Sequence, residues 1–213
     1  MIIEQAMAKK DYDKALKLCL EGEKKDADRR GLLLQWQKLR YKIYELTKDT
    51  EAQKKLAYEF TVNDDFDYYV KLRKLYAENA EEWQRVFDKI IAAVTKPHNK
   101  NIYTQILIHE KMKPELLEYC KKYFAYFPRY YQHLLPEYQD EVNDLFLKLL
   151  RKKSAEAGSR SAYKEVCDLI EAYAQACGNE NASNIIQELK LTYVKRPAFI
   201  DELGKLNIGT RQE

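Results

Sequence analysis

The chain has 213 residues, 46% hydrophobic and 33% charged, and its 6 glycines and 5 prolines are scarce against average usage, which favours long helices over turn-rich architectures. Lys and Arg total 37 against 34 Asp and Glu, and the resulting net charge of +3 is too small to make nucleic acid or a membrane surface the default partner. No run approaches the roughly 18 apolar residues of a bilayer span, and Met1–Lys10 lacks the long apolar stretch of a signal peptide, so a soluble, cytoplasmic chain is expected.

Apolar residues recur at helical spacing almost throughout, while strict alternation is rare, which predicts an all-α chain of about ten helices in antiparallel pairs. The first helix has Asp11 as its cap and sets Tyr12, Ala15, Leu16, Cys19 and Leu20 on one face, with Gly22 beside it. A second runs from Gly31 through Trp36, Leu39, Ile43 and Tyr44, breaks over 47–50, and resumes with Ala52, Leu56 and Phe60. Further pairs follow as 65–76 with 81–94, 101–110 with 114–123, and 127–135 with 136–153. Gly158 then breaks the chain before the helix of Tyr163, Val166, Ile170 and Tyr173, and Gly178 separates that helix from the one carrying Ile185, Ile186, Leu189 and Tyr193. Lys195-Arg196-Pro197 stops the latter ahead of a short helix over 198–206. Cys19, Cys120, Cys167 and Cys177 contain no CxxC pair and read as buried thiols rather than a disulfide framework or a zinc site.

The helix-packing positions resemble those of tetratricopeptide (TPR) repeats. The second-helix pattern of alanine, then an apolar residue, then a small one appears as Ala15, Cys19 and Gly22 and returns as Ala52, Leu56 and Glu59, and the first-helix pattern appears as Trp36 and Leu39. Ala15 and Ala52 are separated by roughly the 34-residue TPR period with a slightly long connection. Arg40 and Glu59 stand where the repeat takes small residues, and no proline closes either unit. Such pairs stacked in series imply a right-handed TPR-like α-solenoid with a concave binding groove. One helical-repeat domain is expected over 1–206, with 95–101 the place for a sub-boundary and a frayed tail over 207–213. The chain opens almost directly on a second-helix pattern, so a truncated first repeat, and hence a fragment of a longer protein, is expected.

Three stretches are similar to the region that follows the zinc finger in bacterial SWIM-type zinc-finger proteins: Lys10–Gly22 with Trp36–Tyr44, then Leu107–Tyr119, and the closing Arg196–Leu203. The resemblance implies a helical-repeat region of a larger protein. The finger needs a Cys-x-Cys pattern that is absent here, so zinc binding does not carry over.

The remaining constellations argue against catalysis. His109-Glu110 begins an HExxH motif, but Lys113 occupies the place of its second histidine. His133 and Glu137 are one helical turn apart with Pro136 between them and no third ligand in sight. The acidic run Asn63–Asp67 lacks the central glycine and closing glutamate of a calcium loop and reads as helix capping. Phosphate-cradling and nucleophile-elbow motifs do not occur, Cys120 has His109 and His133 within sequence reach only, and neither cofactor nor metal is expected.

The stretch 119–138 is rich in rings and cations. Tyr119, Tyr123, Tyr126, Arg129, Tyr130 and Tyr131 are candidate binding residues, because tyrosine and arginine dominate protein-recognition hot spots; the same rings could instead pack neighbouring helices. Together with Lys148, Arg151, Lys152 and Lys153 they could also stack on and neutralise a single-stranded nucleic acid. The expected function is protein–protein interaction with an unidentified protein or peptide, and a nucleic-acid-binding accessory role is the alternative.

Overall fold

The computed structural model describes residues 2–95 and 100–208. Among them thirteen α-helices and one 3₁₀ helix occur, with no strand, as the composition and periodicity predict. The tail over 207–213 is described only to residue 208, and within the 95–101 connection residues 96–99 lie outside the described residues. Two compact units are formed, Met1–Ile106 and Leu107–Glu213.

The first unit holds α1 (Ile2–Ala8), α2 (Tyr12–Lys25), α3 (Arg30–Thr47), α4 (Thr50–Val62), α5 (Phe66–Leu75), α6 (Ala80–Val94) and most of α7 (Lys100–His109). Its boundaries follow from local chemistry. Asp11, Asp49 and Asn79 each accept the backbone N–H three residues on, satisfying a donor that the first helical turn leaves open. Lys48 ends α3 in the left-handed region at φ 59°. Within the acidic run at 63–67, Asn63 and Asp64 bond helix ends, whereas Asp65 makes no side-chain cap bond and lies 3.0 Å from Lys38. Asn63 donates to the Glu59 carbonyl at the end of α4, Asp65 begins α5, and Asp64 accepts from the N–H of Ile102 in α7.

Helix α2 packs on α3 and α4 on α5, while α3 also packs on α4. The α2–α3 contact forms where the sequence pattern placed it. Ala15 and Cys19 are fully buried, and Gly22 lies so close to Trp36 that a β-carbon there would stand 2.5 Å from the indole. The indole N–H donates to the buried Asp26 carboxylate at 2.8 Å. Arg40, which departs from the small-residue pattern, is accommodated by a two-pronged bond to Glu23 of α2 at 2.6 and 3.1 Å. Beyond α3 the core is largely aromatic: Tyr41, Phe60 and Tyr68 meet edge to face or tilted, and Trp83 contacts Tyr69, Tyr76 and Phe87.

The second unit continues with α8 (Lys113–Lys122), a 3₁₀ helix (Phe124–Arg129), α9 (Tyr131–Leu134), α10 (Gln139–Glu156), α11 (Arg160–Cys177), α12 (Asn179–Thr192) and α13 (Pro197–Gly204). Pro114 and Pro197 sit in the first turn of their helices, where a missing N–H is harmless. The helix anticipated over 127–135 is instead a 3₁₀ helix followed by one α turn. Leu135, ahead of Pro136, is pushed to the extended region at ψ 154°, so α10 begins only at Gln139. Helix α11 packs on α10, α12 and α13. The end of α10 is closed by Arg196, whose guanidinium donates to the Ser154 and Ala157 carbonyls at 3.0 and 2.9 Å and lies 4.6 Å above the Tyr193 ring.

Candidate interaction surface

The aromatic stretch divides between core and surface according to the pitch of the backbone that carries it. A 3₁₀ helix repeats every three residues, so Phe124 and Phe127 share one face while Tyr126 and Arg129 share another. Phe127 is fully buried against Phe146 of α10, and Tyr131 is 6% exposed with its ring 5.1 Å from Phe146. Phe146 in turn meets Tyr173 of α11, whose hydroxyl donates to Asn143. Tyr119 is 7% exposed, between Tyr123 and Tyr130 at 4.9 and 5.9 Å. Burial, followed by the neighbouring tyrosines, pushes its phenol up to about 12. Tyr119 and Tyr131 are therefore supports of the second unit, and Tyr123 and Tyr130 are half-buried beside them.

Tyr126 is the ring left to solvent, 45% exposed, with the Arg129 guanidinium 5.5 Å from its centroid. Lys122 lies 5.4 Å from the half-buried Tyr123 ring, and Phe124 is approached by Lys148 and Lys152 of α10 at 5.0 and 4.9 Å. Phe124 and Lys122 belong to the ring-and-cation stretch that the sequence marks, although neither is among its six candidate binding residues. The available signal was the spacing of Lys148 and Lys152, one turn apart on a helix whose neighbouring residues face Phe127.

Of the basic run of α10, Arg151 is firmly held by a carboxylate and Lys152 and Lys153 have only loose, exposed approaches. Arg151 forms a fork with Glu188 of α12 at 2.8 and 2.9 Å, which holds that carboxylate below its ordinary range. Lys153 reaches Glu165 at 4.0 Å and Lys152 reaches Glu156 at 3.8 Å. Among the described residues, Lys122, Arg129 and Lys148 have no carboxylate within 4.0 Å.

Other sequence candidates resolve as ordinary contacts. The His109 ring nitrogen lies 3.0 Å from Glu110, and Glu137 pairs with Lys113 rather than with His133. Cys19, Cys120 and Cys167 are buried, and burial pushes their thiols up to about 11, 12 and 11, leaving them protonated at neutral pH. Among the described residues no cluster of three His, Cys, Asp or Glu side chains could hold a metal ion, and no helix is long and apolar enough to cross a membrane. No family model, curated protein or solved structure matches this chain.

Proposed function

We propose that the chain is a non-catalytic protein–protein interaction module, a TPR-like helical-repeat region of a larger SWIM-type zinc-finger protein. The TPR-like reading rests within the first unit on the Gly22–Trp36 contact, the buried Ala15 and Cys19, and the α2–α3–α4 succession. A pair of helices that cannot bury its apolar face alone stacks on its neighbours, and such stacks present rigid surfaces to partners.

One observation carries the interaction reading. A tyrosine 45% exposed, with a guanidinium over its ring, projects from a 3₁₀ helix that is fixed underneath by Phe127. Its position is preorganised, so docking a partner there orders few additional groups. Nucleic acid is less favoured by the same geometry, because Arg151 would have to give up its two-pronged bond to Glu188.

The test is affinity capture from source-cell lysate with the chain and with a Tyr126→Ala/Arg129→Ala variant as bait, with and without nuclease. Proteins retained by the parent after nuclease and lost from a variant of unchanged melting temperature support the reading. Capture that is identical with both baits, or that vanishes with nuclease, overturns it.

A further inference from the structure

Helix α4 carries a concave surface that the aromatic stretch does not involve. Arg40 and Tyr44 of α3 with Ala52, Lys55, Leu56 and Glu59 of α4 line a hollow of about 210 Å³. A second hollow of about 450 Å³ is bounded by Lys54, Lys55, Tyr58 and Glu59 on one side and by Tyr76, Val86 and Lys89 on the other. Lys55 and Glu59 line both, so the two hollows adjoin on α4, one towards α3 and the other towards α6, and together they make a groove across that helix only for a ligand that passes over these two side chains. With neighbouring helices roughly 9 Å apart, three helices span roughly 20 Å, the length of about six extended residues.

Half of the groove's cations are already in use. Arg40 is held by Glu23. Lys54 is held by Glu51 and Glu82 at 3.0 and 3.6 Å while its ammonium lies 4.4 Å from the Tyr76 ring centroid. Lys55 and Lys89 are exposed, and among the described residues neither has a carboxylate within 4.0 Å. Tyr58 and Val86, both partly exposed, line the same hollow as Lys55 and Lys89, and the Tyr58 hydroxyl has no hydrogen-bond partner among the described residues. Glu51 and Glu59 line the same groove, so a backbone of uniform negative charge would set phosphates against carboxylates. A peptide can space its charges to avoid them.

We infer that this groove docks an acidic, extended segment of a partner protein, about six residues long, with carboxylates at Lys55 and Lys89 and an apolar side chain against Tyr58 and Val86. The site belongs to the first unit and does not rest on the Tyr126 reading.

The experiment is fluorescence anisotropy on the full chain with a fluorescein-labelled hexapeptide of sequence Glu-Ser-Leu-Leu-Ser-Glu, which sets two carboxylates on either side of an apolar centre. Saturable binding is expected, weakened about tenfold or more by Lys55→Glu/Lys89→Glu and less than about twofold by Lys24→Glu/Lys25→Glu, which reverses two exposed charges on α2. Tyr58→Ala weakens binding by about threefold or more without altering any charge. Circular dichroism establishes that the variants fold. The inference is overturned if the parent shows no saturable binding, if both double reversals weaken it equally, or if oligo-dT displaces the peptide as effectively as unlabelled peptide does.

Discussion

Gly22 opposes two well-understood effects within one residue. Replacing a helical glycine with alanine ordinarily stabilises a helix by about 1 kcal/mol. Here the new β-carbon would lie 2.5 Å from two atoms of the Trp36 indole, closer than non-bonded carbons approach. The ring cannot swing aside freely, because its N–H is bonded to the buried Asp26 at 2.8 Å. Overpacking of this kind costs about 1–3 kcal/mol, so Gly22→Ala is expected to destabilise the first unit by up to about 2 kcal/mol after the helical gain. Gly31, with nothing within 4 Å of its would-be β-carbon, is the control: Gly31→Ala should be neutral or stabilise by about 0.5 kcal/mol. Both tryptophans, Trp36 and Trp83, lie in the first unit, so tryptophan fluorescence during urea unfolding reports that unit alone. In a Trp36→Ala background the clash is gone and Gly22→Ala should become stabilising, an interaction energy of about 1–3 kcal/mol across the cycle. A stabilising Gly22→Ala in the parent, or a cycle that closes near zero, would refute the contact as the reason for glycine.

Tyr131→Ala, which empties space beside Phe146, should cost about 3–5 kcal/mol, whereas Tyr126→Ala should cost under about 1 kcal/mol; urea titration followed by circular dichroism separates them, and the reverse order would place the wrong ring in the core. Arg196→Ala strips two carbonyls at the end of α10 of their donor and should cost about 1–3 kcal/mol, with Arg196→Lys recovering only part because an ammonium does not present a planar fork; thermal melts read the difference. Burial pushes the phenols of Tyr41, Tyr68 and Tyr119 up to about 12, so the unfolded chain releases these protons first, near 10. Their contribution is intact below pH 10 and is lost as pH rises towards 12, at about 1 kcal/mol per pH unit for each phenol; urea midpoints at pH 9 and pH 11 check this, and equal midpoints would contradict it.

Much of the first unit was legible because its determinants are local. Asp11 caps α2 where the sequence places a capping residue, and Ala15, Cys19, Gly22 and Trp36 meet at the α2–α3 interface that their spacing implies. Arg40 read as a departure because its partner, Glu23, lies on the preceding helix and no periodicity within α3 reveals it. Asp64 is similar: in sequence it belongs to the end of α4, yet its carboxylate accepts from Ile102 in α7, a contact set by tertiary packing. The connection 127–135 departs from its sequence expectation for a different reason. Its apolar spacing fits a 3.6-residue turn about as well as a 3.0-residue one, and the consequence of the restriction before Pro136 is an early stop rather than a continuous helix.

The candidate site was legible as a composition but not as a surface. Rings beside cations mark 119–131 in any reading, yet which rings face outward depends on the helix pitch: threefold repetition turns Phe127 inward and leaves Tyr126 out. The cations sort in the same way, by contacts that the local sequence does not contain. Arg151 and Lys148 are chemically alike and one turn apart on α10, but Glu188 of α12 comes within 2.8 Å of Arg151, while Lys148 faces the Phe124 ring. A bidentate pair must be broken before Arg151 can serve a ligand, and Lys148 gives up only a ring contact. The charge that remains for recognition is therefore a small part of the run that the sequence displays. It sits beside aromatic rings rather than along a continuous strip, which favours a partner that brings shape and a few carboxylates over one that brings a line of phosphates.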